Sequence, residues 1–345
     1  MSRTRDVQQH IRRSQKLLKE YEQQYQLAQD PKEKARAQKE IAELRRQIRL
    51  YEKDLSELPG EVQFREHASQ VEPKSNSQPA DIAIEPAPSF ALENSFVLSI
   101  GIAKYRNIQG LTKTTVDARD IHDLLLQSGY SSENCTLLLD ERATKGAINH
   151  ALDSLTRRAT PDSTIILFFS GHGAQRIGGF EPGEYICPVE TNLSDLRQTA
   201  VSNLELTTAL RSISAARLLV FLDACHSGGV GEVSNVGARV VGGLSGTSYT
   251  TLLEGKGRVL MVSCQPDEVS WELPDMRNGL FTHYLLKGLR GDATRSDDFV
   301  RVFDLFEYIA KNVPAHKKQH PLFKGEMDQN WAVTHCVPGN ILKQE

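Results

Sequence analysis

Two nearly continuous apolar runs constrain the fold of this chain more than any other feature of its sequence. They are STIILFFS at 163–170 and RLLVFLD at 217–223, and both have the length of a buried strand. Other strand-like runs alternate with stretches of helical periodicity, at 96–102, 115–128, 135–140, 144–158, 185–189, 203–214, 258–264, 278–290, 298–313 and 330–335. Continuous apolar strands that alternate with helices form a mostly parallel sheet. We therefore predict an α/β fold for residues 93–345, a mostly parallel sheet with helices on both faces.

The first 58 residues have a different pattern, which predicts an α-helical hairpin. Mostly apolar residues recur in alternating steps of four and three within 7–28 and again within 37–58, and this is the heptad spacing of coiled coils. Such a hairpin either packs on its own domain or forms a coiled coil that self-associates or binds a helical adaptor. Residues 59–92, with five prolines among polar residues, predict a linker to the α/β domain.

Composition excludes several classes of protein. The net charge of −3 gives no sign of a nucleic-acid binder, and no apolar run approaches the roughly 20 residues of a membrane helix. The N-terminus has no apolar signal segment, and five cysteines without CxxC spacing argue against disulfides and zinc sites. We therefore expect a cytoplasmic protein that binds neither nucleic acid nor membranes. Four of the thiols should be small buried residues in or beside strands: Cys135, Cys187, Cys264 and Cys336.

Both of the apolar runs that define the sheet end in reactive side chains. The first continues into SGHG at 170–173 and the second into DACHSGG at 223–229. Ligands of parallel sheets bind beyond the carboxyl ends of the strands. A thiol and an imidazole held there suit nucleophilic acyl transfer, in which the thiolate attacks a carbonyl and the imidazole transfers protons. We therefore predict Cys225 and His172 as catalytic residues. The alternative is a metal site formed by these two residues and His226, but the sequence has neither the carboxylates nor the CxxC spacing typical of such sites.

The boxes FFSGHGA and LVFLDACHSGG resemble those of metacaspases and their prokaryotic relatives, the orthocaspases, in the clan of caspase-like cysteine peptidases. The resemblance covers roughly residues 95–335 and includes the segments GIAKYRN, DARDIHDLL and VSCQPDEVSWE. By position, it implies that Cys225 is the nucleophile and His172 the acid and base, 53 residues apart. It also implies an oxyanion hole formed by the backbone N–H groups of Gly173 and Cys225. Adjacent residues of a strand-end turn point apart, which argues against His226 as the base.

The same resemblance implies a substrate pocket for a basic side chain. Metacaspases place an Asp two residues before the Cys, an Asp on the first helix and a Ser before the Gly-His pair, and the matching residues are Asp223, Asp117 and Ser170. Two carboxylates in a half-buried pocket are stabilised by a cation, and a guanidinium binds carboxylates with bidentate geometry. We therefore expect cleavage after arginine and, less efficiently, lysine. From the residues alone, Asp117 also fits a charge at a helix N-terminus, and Asp223 fits a cap of the following turn.

Neither a cofactor nor a metal is predicted. Many metacaspases carry an acidic pair that contributes to calcium binding and to the substrate pocket, but AVSNLEL at 200–206 has Asn203 and Leu204 at those positions. Calcium needs six or more oxygen ligands, and Glu232 alone does not supply them. Calcium activation is therefore not expected, and one carboxylate of the family's substrate pocket is missing here.

Together these features predict a cysteine endopeptidase of orthocaspase type that acts on protein substrates and is recruited or assembled by its helical N-terminal module. One alternative is a catalytically silent regulatory or adaptor protein of caspase-like fold, and another is a coiled-coil assembly protein with a hydrolase-like passenger. The presence of Cys225 and His172 argues against these two alternatives. Self-cleavage is expected in the glycine-rich stretch 228–258, where an exposed flexible loop would present Arg239, or else Lys256.

Overall fold

The structure of the chain is a computed structural model. It describes residues 92–176, 183–224, 256–265, 268–295 and 297–336, the backbone of 232–233 and 238–241, and single helical positions between 18 and 45. Two residues of the sequence analysis, Cys225 and His226, lie outside the described residues, as does nearly all of the predicted hairpin and linker at 1–91. What was inferred for them stays a prediction.

Strands and helices alternate through the first two thirds of the described domain. The strands are β1 (Ser95–Gly101), β2 (Cys135–Leu139), β3 (Thr164–Gly171), β4 (Gly173–Arg176), β5 (Gly183–Ile186), β6 (Val201–Ser202), β7 (Arg217–Ala224), β8 (Glu232–Val233), β9 (Ala238–Val241), β10 (Arg258–Val262), β11 (Phe299–Arg301), β12 (Leu322–Glu326) and β13 (Ala332–His335). The helices are α1 (Thr114–Gln127), α2 (Lys145–Arg158), α3 (Leu196–Thr199), α4 (Asn203–Ser212), α5 (Leu280–Lys287) and α6 (Val302–Asn312).

A six-stranded sheet forms the centre of the domain, in the order β12-β10-β7-β3-β1-β2. Neighbouring strands are parallel except β12, which runs antiparallel to β10. The predicted mostly parallel sheet is therefore confirmed. Strand β12 was not predicted because its sequence, LFKGE, is short and half polar, as suits an edge strand that is paired on one side.

Helices cover both faces of this sheet, as predicted. On β1, Phe96, Leu98 and Ile100 pack in the same apolar cluster as the inner sides of α2 and α4. Val97 belongs to the opposite cluster, which contains the inner sides of α1, α5 and α6. Successive strand residues point to opposite faces, so a continuous apolar strand fills both layers of the core at once.

A second, antiparallel sheet has the order β6-β5-β4-β9-β8. Its strand β9 contains Arg239, which pairs with Gln175 of β4 and with Glu232 of β8. The expectation of an irregular loop throughout 228–258 is therefore wrong for these backbone positions. The β-branched pair in ARVV favours the strand, and cleavage after Arg239 would require β9 to leave its sheet. Lys256 is exposed, with its Nζ 3.4 Å from an Asp328 carboxylate oxygen.

The predicted helix at 298–313 begins later than expected. Residues 299–301 form β11, which pairs antiparallel with β13, and α6 starts at Val302. A bulge between Val300 and Arg301 marks the change from strand to helix. The apolar run FVRVF fits either periodicity, and only the pairing with β13 decides it.

The described positions of the N-terminal segment are all helical. Arg45 donates to Glu22 at 2.9 Å, across 23 residues of sequence. The chain divides into two compact units at 1–85 and 86–345. Among the described residues, no helix combines the length and the apolar character needed to cross a membrane.

Candidate active site

The two reactive segments lie side by side at one edge of the central sheet. Strand β3 pairs with β7 so that Ser170 lies opposite Asp223 and Gly171 opposite Ala224. His172 follows Gly171 directly and joins β3 to β4. Cys225 follows Ala224 directly in the sequence.

His172 is held in one orientation by a backbone carbonyl. Its side chain is nearly buried, and its Nε2 lies 2.9 Å from the carbonyl oxygen of Gln109. A carbonyl only accepts, so Nε2 carries the proton and, in the neutral ring, Nδ1 is the basic nitrogen. The sequence analysis missed Gln109 because a main-chain carbonyl leaves no side-chain signal.

Tyr105 fixes the backbone and the ring of His172 together. The Tyr105 hydroxyl accepts the backbone N–H of His172 at 2.7 Å, and the centres of the two rings are 4.9 Å apart. A Cβ at Gly171 would lie 2.7 Å from that hydroxyl oxygen and 2.9 Å from a ring carbon of Phe169. A side chain at Gly171 would therefore displace the Tyr105 hydroxyl or the Phe169 ring from its place beside His172.

The loop that carries Tyr105 and Gln109 is closed by its own backbone. The Leu111 N–H donates to the carbonyl of Ala103 at 2.8 Å. The Asp140 carboxylate accepts the N–H groups of Ala103 and the next residue at 2.8 and 2.9 Å. A Cβ at Gly110 would lie 2.8 Å from the Ala103 oxygen, so this glycine permits the closure. The closed loop directs the Gln109 carbonyl at the imidazole.

Asp117 lies in the first turn of α1, which packs closely against the end of β1. A Cβ at Gly101 would lie 2.4 Å from the carbonyl oxygen of Thr114, so the glycine allows this approach. The Asp117 carboxylate is fully buried and accepts the Gly279 N–H at 3.0 Å and the Ser170 hydroxyl at 3.3 Å. The structure thus brings Asp117 and Ser170 together.

Asp223, at the end of β7, is also fully buried. Its carboxylate accepts the hydroxyls of Ser270 and Thr282, each at 2.7 Å. The Ser270 hydroxyl in turn accepts from the Gln319 side-chain amide at 3.0 Å. The sequence analysis did not single out these three residues, although Ser270 lies within the VSCQPDEVSWE segment.

The two carboxylates affect each other electrostatically. Burial, and then the negative charge of Asp223, raise the pKa of Asp117 well above its usual range. Hydrogen bonds from the Asn278 side chain and the Gly279 N–H oppose this pKa shift. The partners named here are neutral hydrogen-bond donors. A cation between the carboxylates would stabilise both charges.

Gly173, the predicted oxyanion donor, begins β4 and lies opposite Ile186 of β5 and Val241 of β9. The carbonyl of His172, one residue earlier, accepts the Cys187 N–H at 3.0 Å. A role for Gly173 in an oxyanion hole requires that its own N–H be available to the substrate.

The four cysteines expected to be structural lie in or beside strands. Cys187 and Cys264 are buried, whereas Cys135 and Cys336 are only partly so. Burial raises the pKa of Cys187 to about 12 and that of Cys135 to about 11. Such thiols stay protonated at neutral pH and are poor nucleophiles.

The segment expected to lack calcium ligands forms the start of a helix. Ser202 and Glu205 cap α4 reciprocally, and Glu205 also pairs with Lys145 at 2.9 Å. Leu204 is exposed. Within the described ranges, no group of three or more His, Cys, Asp or Glu side chains is arranged to hold a metal ion.

Comparison with known proteins identifies the family to which this chain belongs. A family profile described as Caspase domain matches residues 94–330, well over half of the sequence. The chain belongs to the caspase-domain family. The predicted kinship with metacaspases is confirmed by Metacaspase-1 of Candida albicans, 28% identical over 33% of this chain and 29% of that protein. Metacaspase-1 of Eremothecium gossypii is 27% identical over 44% of this chain and 35% of that protein.

Among solved structures, the caspase-domain chain matches the crystal structure of protein GSU0716 from Geobacter sulfurreducens. The TM-score is 0.50 at 20% identity, over 71% of this chain and 98% of that one, which shows a shared fold. The chain spans about a third of the length of the curated metacaspases it matches, 29% of one and 35% of the other.

We expect Tyr105→Phe to lower kcat/KM for peptide cleavage about 10-fold, the effect of one lost hydrogen bond. The substitution removes the hydroxyl that accepts the His172 N–H but keeps the ring. Tyr130→Phe is the matched control, because the Tyr130 hydroxyl donates to a carbonyl, Val333, that is not part of the site. The control should lower the melting temperature without lowering kcat/KM. Equal losses of activity in the two variants would contradict a positioning role for Tyr105.

Proposed function

We propose that this chain is a cysteine endopeptidase that cleaves proteins after basic residues, arginine before lysine, through Cys225 and His172. One juxtaposition carries the proposal. The oriented imidazole of His172 and the buried carboxylates of Asp117 and Asp223 lie by the ends of β3 and β7, where Cys225 follows in the sequence. Membership of the caspase-domain family supports the peptidase activity.

In the proposed reaction, His172 takes the thiol proton of Cys225, and the thiolate attacks the carbonyl carbon of the basic residue itself. The N–H groups of Gly173 and Cys225 donate to the oxyanion. When the C–N bond breaks, the imidazolium gives its proton to the leaving amine, and a thioester remains. Neutral His172 then takes a proton from water, whose oxygen attacks the thioester and releases the acid and the thiol.

The preference for a basic side chain follows from the two carboxylates. Two ionised acids at a buried site are unfavourable without a cation, and a substrate guanidinium supplies one with donors for both. An acidic substrate side chain would add a third negative charge to the same site. Asp117 and Asp223, with Ser170 as a hydroxyl donor, are therefore proposed as the substrate-binding residues.

Fluorogenic peptides that differ only in the residue before the scissile bond test the proposal. Wild type should hydrolyse the arginine peptide faster than the lysine peptide and should leave the aspartate peptide intact. Cys225→Ala should hydrolyse none of them. A folded wild type that cleaves none of the three would favour the alternative, a catalytically silent caspase-like adaptor.

We expect the N-terminal helices to be dispensable for the chemistry, because all the side chains of the proposed site belong to the unit 86–345. A protein that begins at Ser89 should fold and cleave small peptides at the rate of the full chain. Light scattering of both proteins tests separately whether the helical segment drives self-association. A folded but inactive truncated protein would show that this segment belongs to the active unit.

Self-cleavage is expected after Arg239 or Lys256 as part of the regulation of the enzyme. Mass spectrometry of purified wild type should find a fragment that ends at one of these residues and is absent from Cys225→Ala. Arg239 pairs on both sides within its sheet, so cleavage there should be faster under conditions that loosen β9. Identical fragments in the two proteins would assign the cut to another protease.

A further inference from the structure

Asp140, which directly follows β2, has a strained backbone. Among the described residues other than glycine, it alone has a positive φ, of 41°. L-amino acids rarely adopt this left-handed region because Cβ crowds the backbone, and such strain persists only where the surrounding structure enforces it. Asp and Asn adopt it more readily than other residues, since their short polar side chains form local hydrogen bonds. The contacts of Asp140 must therefore enforce this conformation.

The side chain of Asp140 holds the beginning of the closed loop, residues 103–111, that orients His172. One carboxylate oxygen, Oδ1, accepts the N–H groups of Ala103 and of the next residue at 2.8 and 2.9 Å. Two neighbouring N–H groups that converge on one charged oxygen fix the position and the direction of the chain. The residue that follows them is Tyr105, whose hydroxyl accepts the His172 N–H at 2.7 Å. The carboxylate is thus joined to the backbone of His172 through a single side chain.

The backbone of Asp140 is joined to the same loop by a second path. Its carbonyl accepts the Ala143 N–H at 2.8 Å, and the Ala143 carbonyl accepts the Val189 N–H at 3.1 Å. The Val189 carbonyl in turn accepts the N–H of Arg106, within the closed loop, at 2.9 Å. Two residues before Val189, a backbone N–H donates to the His172 carbonyl at 3.0 Å. The side chain and the backbone of Asp140 therefore complete a circuit of hydrogen bonds that includes both the loop and His172.

The position of β2 explains why this circuit needs a left-handed φ. Leu139, the last residue of β2, is paired with Gly101 of β1, two residues before the closed loop begins. Rotation about φ moves the side chain and the carbonyl of Asp140 together relative to β2. At the observed φ both groups reach their partners, and a relaxed negative φ would carry both away from them. The backbone strain is therefore linked to the placement of the loop.

We propose that Asp140 is a positioning residue for catalysis, because it holds the closed loop where the loop can orient the His172 imidazole. The loop does so through the Gln109 carbonyl and the Tyr105 hydroxyl. The inference rests on the proposed function, in which His172 is the base, and adds a residue that acts through the loop. A misplaced base slows the chemical step more than it weakens substrate binding. Loss of Asp140 should therefore affect kcat more than KM.

The test compares two substitutions of Asp140. Asp140→Gly removes the carboxylate but suits the left-handed backbone, so the protein should fold. It should lower kcat for an arginine peptide about 10- to 100-fold and change KM less than about 3-fold, the pattern of a misplaced catalytic group. Asp140→Asn keeps an acceptor oxygen and tolerates the same φ, so its kcat should stay within about 3-fold of wild type. The ratio of arginine to lysine cleavage should not change in either variant.

Alkylation of Cys225 by iodoacetamide tests the same inference without a substrate. Because His172 removes the thiol proton in the proposed reaction, Asp140→Gly should be alkylated more slowly than wild type and Asp140→Asn at the wild-type rate. The matched control is Asp162→Ala, which removes a carboxylate that accepts the Asn94 amide at 2.6 Å before the opposite end of β3. This control should lower the melting temperature but neither kcat nor the alkylation rate. A purely structural role of Asp140 would give the same result as the control.

A folded Asp140→Gly with the kcat and alkylation rate of wild type would overturn the inference and leave the proposed function intact. An Asp140→Asn as slow as Asp140→Gly would also overturn it. A wild type that cleaves no arginine peptide would count against the proposed function and, with it, the inference. If Asp140→Gly does not fold, Asp140→Ser, whose single oxygen reaches less far, replaces it under the same expectations. If neither variant folds, the residue is structural and the inference is refuted.

Discussion

Cys225→Ala and His172→Ala should each reduce peptide cleavage at least about 1000-fold, the effect of removing one member of a nucleophile–base pair. Both residues follow the ends of strands, so their loss removes chemistry more than it removes core packing. His226→Ala should keep most of the activity. The expected readouts are kcat/KM for an arginine peptide and the melting temperature of each variant.

The outcome that contradicts the assignment is specific. An inactive His226→Ala together with an active His172→Ala would reverse the roles of the two imidazoles. In that case the Gln109 carbonyl, which fixes the tautomer of His172, would have only a structural function. Retained activity in Cys225→Ala would move the nucleophile to another residue altogether.

Asp223→Asn should lower kcat/KM for arginine peptides about 10- to 100-fold, the loss of one charge-assisted pair. The reactivity of Cys225 toward a small alkylating agent should not change, because the carboxylate acts on the substrate side chain. A cleavage profile in which aspartate is preferred before the scissile bond would show that the carboxylates are structural caps. The same conclusion would follow if Asp223→Asn left the preference for the residue at this position unchanged.

The same pocket predicts a pH dependence. Because burial and the charge of Asp223 raise the pKa of Asp117, this carboxyl is neutral below its raised pKa and charged above it. A guanidinium pairs with the charged form, so kcat/KM for arginine peptides should rise as pH rises through this pKa. Asp117→Asn should lower the activity and flatten this rise. A rise of the same size in Asp117→Asn would assign it to another group.

Stability should respond in the opposite direction. Asp117 takes up a proton more readily in the folded chain than in the unfolded one, so its contribution to stability is largest below its ordinary pKa of 3.8 and falls as pH rises toward the raised value. At neutral pH, Asp117→Asn should therefore melt no lower than wild type while cleaving arginine peptides more slowly. A buried acid retained at the expense of stability fits a role in binding.

The central sheet and the ends of its strands could be predicted because continuous apolar runs are typical of buried parallel strands. The ends of STIILFFS and RLLVFLD therefore indicate that His172 and Asp223 lie at the carboxyl edge of the sheet. The second sheet could be predicted only in part. The predicted run at 185–189 overlaps β5, whereas GAQR of β4 is four residues long and half polar, and its pairing with β5 identifies it as a strand.

The partners of the site residues were harder to predict than the site residues themselves. The Gln109 carbonyl has no sequence signal, and its position depends on a loop closed at Ala103 and Gly110. Thr282 lies inside α5 and looks like an ordinary helical residue until tertiary packing brings it to Asp223. Pattern analysis finds reactive residues, whereas the groups that orient them come from distant parts of the chain.

The central claim is that Cys225 attacks bonds after basic residues, and covalent labelling tests it most directly. A peptide chloromethyl ketone that ends in arginine should form one adduct in wild type, which mass spectrometry should place on Cys225. The aspartate analogue should form none, and His172→Ala should react far more slowly with the arginine reagent. An adduct on Cys135, Cys187, Cys264 or Cys336, or equal labelling by the two reagents, would contradict the account.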